Sequence, residues 1–363
     1  MKKVGILTLP ISENYGGILQ CYALQEAVKD LGYSPHIMSI GKRNSFRFKQ
    51  IIKDILRLIP FQDFNNYRST EKRKKILKGF IDSKFHNKSL LLTGDQALSD
   101  YTANNDLFSI IVGSDQVWRY KYTKEYYPNY FLNFKLHCEV KKIAYAASFG
   151  TNRWQEDLLC SEVERYLENF NSVSVREVDG VEICMKKFNY LNAKHVCDPV
   201  FLHKKDKYEI ICEKVKKERK SVSIYVLDDK KTAVDIGKNL INSFNIDNSE
   251  LSFFGHKKSL GGNDDTIEQW VANFRDSDFI VTDSFHGMMF SIIFRKSFIV
   301  LANKSRGISR FESVLSLFGL QERMIYDSEI GDLNLKIDYS KIEDDINLFV
   351  RESKAFLKGS LES

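Results

Sequence analysis

The chain has 363 residues, a formal net charge of +6, 43% hydrophobic and 28% charged residues, and only 5 prolines. That composition suits a globular protein with enough chain for two cores, and excludes disordered, fibrous and collagen-like classes. No run of 18 apolar residues occurs, so no membrane span is predicted, and no solenoid-length repeat is present.

The six cysteines, Cys21, Cys138, Cys160, Cys184, Cys197 and Cys212, form no CxxC pair. They read as reduced thiols of a cytoplasmic protein, neither a disulfide frame nor a zinc site. The opening MKKVGILTLPISENYGG imitates a signal peptide. Its apolar core is short and broken by Pro10, and no small-residue cleavage site follows, so a first strand is predicted at Val4–Leu9.

After a glycine-containing turn, ILQCYALQEAVKDLG has helical periodicity and stops at Gly32; Pro35–Ile40 reads as a second strand. Residues 42–88 carry 14 Lys/Arg against 4 Asp/Glu. The segment reads either as a solvated helical insert or as a face for an anionic partner such as a membrane surface. Nucleic acid is not expected as a partner. Within it, FRFKQIIKDILRLIPF places Phe48, Ile52, Ile55 and Ile59 on one helical stripe and Lys49, Lys53 and Arg57 on another.

Strand-like runs then alternate with helical ones. LFSIIVG (107–113), KKIAYAASFG (141–150), SVSVRE (172–177) and KHVCDPVF (194–201) read as strands, with helices over 154–170 and 178–188. Past a Lys/Glu-rich crossing the rhythm restarts. Strands are predicted at SVSIYVL, SELSFFG, FIVTD and SFIVLAN, each followed by a helix, and a charged helix spans about 340–358. The expectation is an α/β protein of two Rossmann-like lobes with mostly parallel sheets and the ligand cleft between them. The lobes are placed at 1–203 and 204–340, with 341–363 as a helix packing across them.

In open parallel sheets, ligands bind beyond the carboxyl ends of the strands. Five polar turns qualify. Asn14-Tyr15-Gly16-Gly17 offers backbone N–H groups and a helix N-terminus, without the GxGxxG or GxxxxGK[ST] spacing of nucleotide loops. Ser114-Asp115-Gln116 and Trp118 supply hydrogen-bonding groups and an aromatic face suited to a sugar ring. Small residues at 145–150 would let a ligand approach. Arg176, ending a β-branched strand, has the fork geometry for carboxylate or phosphate, or for a local acid such as Glu177. Ser284-Phe285-His286-Gly287 puts an imidazole at a helix N-terminus, where a bound anion would favour imidazolium. Lys304, Arg306 and Arg310 follow the next strand, so several cations can converge on a small, strongly anionic ligand. No metal-ligand spacing is evident, and no cofactor is expected.

Taken in order, NYGGILQCYALQ, GSDQVW, YAASFG, SVRE, CDPVF, DSFHGMMFSIIF and KSFIVLANKSRGISRF resemble the polysaccharide pyruvyl transferase family, over residues 14 to about 311. The resemblance implies a two-lobed, GT-B-type fold. It implies transfer of the pyruvyl group of phosphoenolpyruvate to two hydroxyls of one sugar, making a cyclic ketal on a bacterial polysaccharide or its lipid-linked precursor. It implies Arg176, His286 and Arg306, with Lys304 close by, as donor ligands. Many relatives read Arg-Leu-His where this chain has Ser284-Phe285-His286, so Arg310 or Lys304 stands in for one cation. The donor set is then Arg176, Ser284, His286, Gly287, Lys304, Arg306 and Arg310. The acceptor set is Asn14, Tyr15, Gly16, Gly17, Ser114, Asp115, Gln116 and Trp118. His286, Arg176 and Asp115 are the candidates for catalysis. Two other classes fit the same pattern less fully: a nucleotide-sugar glycosyltransferase on this architecture, and a non-catalytic glycan- or membrane-binding module.

Overall fold

In a computed structural model, residues 1–41, 62–136, 139–228, 230–243, 251–255, 264–302, 307–326 and 336–363 are described. The amphipathic stretch 46–61 and the basic residues Lys304 and Arg306 lie outside them.

Seven strands build the first sheet: β1 (Lys3–Leu7), β2 (Ser34–Ile40), β3 (Lys88–Leu92), β4 (Leu107–Gly113), β5 (Lys141–Ala147), β6 (Ser172–Val175) and β7 (Lys194–His195). Their order is β3-β2-β1-β4-β5-β6-β7. Five more strands build the second: β8 (Lys220–Tyr225), β9 (Ser252–Phe253), β10 (Ser277–Thr282), β11 (Ser297–Leu301) and β12 (Met324–Ile325), in the order β12-β11-β10-β8-β9. All described pairings are parallel. This is the two-lobed, GT-B-type α/β architecture. The central strands are apolar runs because both faces are covered: Ile110, Ile111 and Val112 in β4, and Ile280 and Val281 in β10, are fully buried.

Helices cover the sheets: α1 (Tyr15–Asp30), α2 (Gln62–Lys84), α3 (Asp95–Asn104), α4 (Cys160–Glu168), α5 (Val178–Phe188), α6 (Lys205–Ile211), α7 (Lys230–Ser243), α8 (Ile267–Asp276), α9 (Phe285–Ile293), α10 (Ser309–Leu317) and α11 (Glu343–Glu362). Their starts follow local chemistry. Asn14 caps α1 by accepting from the Gly17 N–H, and Thr266 and Gln269 form a reciprocal capping box on α8.

The second half of the basic segment departs from the solvated-insert reading. In α2, Leu77, Phe80 and Ile81 form an i, i+3, i+4 stripe that is buried in the main core, with Phe80 edge-on to Tyr22 at 5.7 Å. β3 then adds an edge strand to the first sheet. Lys78, between these apolar residues, is exposed on the outer face. Arg73 on the same helix reaches Asp264 at 3.0 Å.

The lobes share one apolar cluster that runs from Val4 and Ile6 through Trp270 and Phe290 to Leu357 and Leu361. Tyr15 lies across the junction. Its ring stacks on Trp270 (5.5 Å, 6°) and its hydroxyl donates to the Asp265 carbonyl at 2.7 Å. Helix α11 belongs to both sides: the Cys197 N–H donates to Ser353 Oγ at 2.9 Å, while Glu343 pairs with Arg295 at 2.7 Å. No helix among the described residues is long and apolar enough to cross a membrane.

If α2 is core rather than a solvated insert, Phe80→Ala should lower unfolding free energy by about 3–5 kcal/mol in urea titration. A loss below about 0.5 kcal/mol, typical of surface positions, would contradict the assignment.

Candidate functional site

Chain direction sets where the site lies. In the first sheet the winding reverses between β1 and β4, and in the second between β8 and β10. Such reversals open a crevice at the carboxyl ends of the strands. Gly16 leaves β1, Ser114 and Asp115 leave β4, and His286 leaves β10. The two reversal points meet: a Cβ added at Gly16 would stand 2.1 Å from His286 Nδ1. Only glycine lets the start of α1 come this close to the imidazole.

At the centre is Asp198, fully buried after β7. Its Oδ2 accepts from Arg176 Nη1 at 2.8 Å and from Ser114 Oγ at 3.1 Å, and its Oδ1 accepts from the Val200 N–H at 3.2 Å. His286 Nε2 stands 3.6 Å from the same Oδ2, an ion-pair distance rather than a hydrogen bond. Burial pushes this carboxyl up, but His286 and Arg176 outweigh it and hold it well below the usual carboxylate range.

Arg176 is also buried. Its Nε donates to Glu177 Oε1 at 3.1 Å, and that oxygen accepts from Ser148 Oγ at 2.7 Å as well. The expected local ion pair is therefore present, yet it does not use up the guanidinium. Arg176 Nη2 and His286 Nε2 are buried without a hydrogen-bond partner among the described residues. Each such group costs about 1–3 kcal/mol. An anion placed between them would remove that cost.

A second guanidinium lies nearby. Arg176 sits 4.7 Å and Arg310 5.5 Å from the centroid of the same ring, Phe285. Burial, and then the neighbouring Arg176 charge, push the Arg310 guanidinium down to about 10. The two buried arginines raise each other's electrostatic cost, which an anion would relieve. Asp115, half-buried, has a left-handed φ of 73° and accepts from the Gln116 N–H at 2.8 Å through Oδ1. Its Oδ2 faces Gly17. Left-handed backbone at a residue other than glycine stores about 1–3 kcal/mol of strain, which gathers at functional sites.

The structure thus brings together Arg176, His286, Arg310, Asp115 and Gly16. Several other expected ligands have structural duties instead. Trp118 is fully buried, stacked on Phe131 (4.8 Å, 5°), with its indole N–H donated to the Tyr130 carbonyl, so it presents no face to a sugar. Tyr15 is spent on the junction with Trp270. Ser114 is fully buried between Asp198 and Gln20, and Gln116 Oε1 accepts from Arg119 Nη1 at 2.7 Å. Asn14 and Ser284 act as helix caps, Ser284 Oγ accepting from the Gly287 N–H at 3.3 Å.

Gly287 does not clear space for a ligand. An added Cβ there would meet Thr282 Oγ1 at 2.3 Å, so the glycine serves the close packing of α9 on β10. Asp283 binds the Leu227 and Asp228 N–H groups at 2.7 and 2.9 Å, fixing the turn after β8. Asp198 and Glu177, in the CDPVF and VRE segments, carry more of the site than their sequence context signals. Among the described residues no group of three or more His, Cys, Asp or Glu side chains is placed to hold a metal ion.

A family model for polysaccharide pyruvyl transferases matches residues 14–305, most of the chain and all of this site except Arg310. The chain belongs to that family. Among curated proteins, none matches the sequence significantly. Solved structures with a similar fold include a UDP-GlcNAc 2-epimerase from Neisseria meningitidis bound to UDP-GlcNAc (10% identity, 99% of this chain and 94% of that one, TM-score 0.46). They also include a putative UDP-N-acetylglucosamine 2-epimerase from Listeria monocytogenes (9%, 99% and 91%, 0.49) and the E. coli ADP-heptose heptosyltransferase II (10%, 98% and 100%, 0.34). At these identities and scores the likeness bears on neither substrate nor site.

Asp198 also makes a pH prediction. Its folded pKa is depressed, so its stabilising contribution is complete above the unfolded value near 4 and fades as pH falls towards the folded one. Asp198→Asn should cost about 3 kcal/mol at pH 7. In urea titrations between pH 7 and 3, the gap between the two proteins should narrow below about pH 4. A gap independent of pH would contradict the ionic role.

Proposed function

We propose that this family member takes phosphoenolpyruvate as donor and forms a cyclic pyruvate ketal on a sugar. The observation that carries the reading is the pair of unspent buried donors, Arg176 Nη2 and His286 Nε2, beside a second buried arginine. Phosphoenolpyruvate bears both a carboxylate and a phosphate, so it needs several cations within a few ångströms. Arg176 comes from the first lobe, and His286 and Arg310 come from the second, so donor binding would draw on both. Lys304 and Arg306 follow β11 in sequence and complete the proposed cation set.

The reaction balances without a redox partner. A proton adds to C3 of the enol, making C2 electrophilic. One sugar hydroxyl attacks C2, and the C2–O bond to phosphate breaks. The second hydroxyl then closes the ketal on C2. Of the two hydroxyl protons, one ends on C3 and the other on the departing phosphate. His286, held by Asp198 and crowded by Gly16, would supply the acid at the phosphate or at C3. Arg176 and Arg310 would stabilise the charge on the leaving group. Asp115, at the crevice mouth, would receive a hydroxyl proton.

The acceptor would be a bacterial polysaccharide or its lipid-linked precursor, met at the cytoplasmic face of a membrane. The excess of positive charge over 42–88 suits such an anionic surface.

Phosphate release from phosphoenolpyruvate with lipid-linked glycan acceptors is the direct assay. His286→Ala and Arg176→Ala, with folding checked by circular dichroism, should each lower turnover by at least ~100-fold. Turnover close to wild type in both would remove these residues from the reaction.

A further inference from the structure

A cavity of about 270 Å³ lies away from the crevice, where the chain passes from the first sheet to the second. Its floor is apolar: Phe201, Ile293, Ile346 and Val350. Its rim is basic. Lys204, Lys205 and Lys354 line it, all three exposed, and none makes an ion pair among the described residues. Arg295 and Glu343 also border it, but they neutralise each other through a bidentate pair at 2.8 and 3.0 Å. Asp206 then remains as one carboxylate against three lysines.

Three unpaired lysines do not gather on a rim for stability, because like charges repel each other there. They do raise the local concentration of a counter-ion, and low-dielectric apolar walls focus that field. The apolar floor asks for a hydrocarbon or aromatic body, and the rim asks for a compact dianion that several ammonium groups can share. The volume lies just below the range typical of small-molecule sites, so the occupant is small.

Position gives the cavity further meaning. Phe201 lies in the last half of the short 3₁₀ turn Pro199–Leu202, which begins just after Asp198, and Ile293 ends α9, which carries His286 in its first turn. The third wall is α11, which touches both lobes. A ligand here would rest on the far ends of the two elements whose near ends set the Asp198–His286 distance.

We propose that this cavity binds a phosphomonoester with a small apolar body, at a site separate from the crevice. The proposal does not depend on the donor or acceptor named above.

Pyridoxal 5′-phosphate is a suitable probe, being itself such a phosphomonoester with a lysine-directed aldehyde. The aldehyde condenses with a lysine Nζ, releasing water, and borohydride then reduces the C=N bond to a stable secondary amine. Peptide mapping of the full-length protein should find Lys204, Lys205 or Lys354 labelled ~10-fold above the median of the other lysines. Phenyl phosphate should suppress that labelling if the ligand is soluble. Vesicles of phosphatidylcholine with phosphatidic acid should suppress it, and plain phosphatidylcholine vesicles should not, if the phosphomonoester is a lipid headgroup. Calorimetry with phenyl phosphate on Lys204→Gln/Lys354→Gln should show binding weakened at least ~10-fold with melting temperature unchanged. Even labelling across the lysines, or no protection by either competitor, would overturn the proposal. So would wild-type affinity for phenyl phosphate in the double variant.

Discussion

One buried carboxylate organises the junction of the two lobes. Asp198 receives Arg176 and Ser114 from the first lobe and stands within ion-pair range of His286 from the second. A charge so deeply buried survives only because cations and hydrogen bonds surround it. Remove it, and Arg176 loses its main anchor while His286 loses the group that orients it. The surrounding structure protects this contact. Gly16 lets α1 approach the imidazole, and the stacking of Tyr15 on Trp270 locks the approach from one side. Helix α11 ties both lobes together behind it.

The same constraint explains why the site is both stable and unfinished. Asp198 and Glu177 hold Arg176 in place but use only two of its nitrogens. The remaining donors are buried, desolvated and oriented before any ligand arrives. Such preorganisation is how enzymes stabilise developing charge cheaply at the moment of reaction. Arg310, pushed down by burial and by Arg176, adds a second buried cation whose electrostatic cost a bound anion would lower further.

The lobes and most strands were legible because their apolar runs are long and end in turn chemistry, as LFSIIVG and FIVTD do. β3 was not, because KSLLL is a short, partly exposed edge strand at the end of a lysine-rich segment, where charge hides the pattern. β12, at two residues, leaves no pattern at all. In the site, Arg176 and His286 stood out as polar residues at strand ends. Asp198 did not, because an Asp-Pro step reads as a turn until the partner 22 residues earlier is folded onto it. Trp118 misled for the opposite reason. An indole beside polar residues resembles a sugar platform, and only the fold shows Phe131 closing over it. Gly287 gives way to packing in the same manner, since its demand comes from Thr282 on the neighbouring strand.

The central claim is that Arg176 Nη2 and His286 Nε2 are kept unpaired for the donor anion. A crystal structure of the protein soaked with phosphoenolpyruvate tests it most directly. Ligand oxygens should lie within hydrogen-bonding distance, about 2.7–3.2 Å, of both nitrogens, with Asp198 still bound to Arg176. Phosphoenolpyruvate seated elsewhere, with both nitrogens still unpartnered, would contradict it.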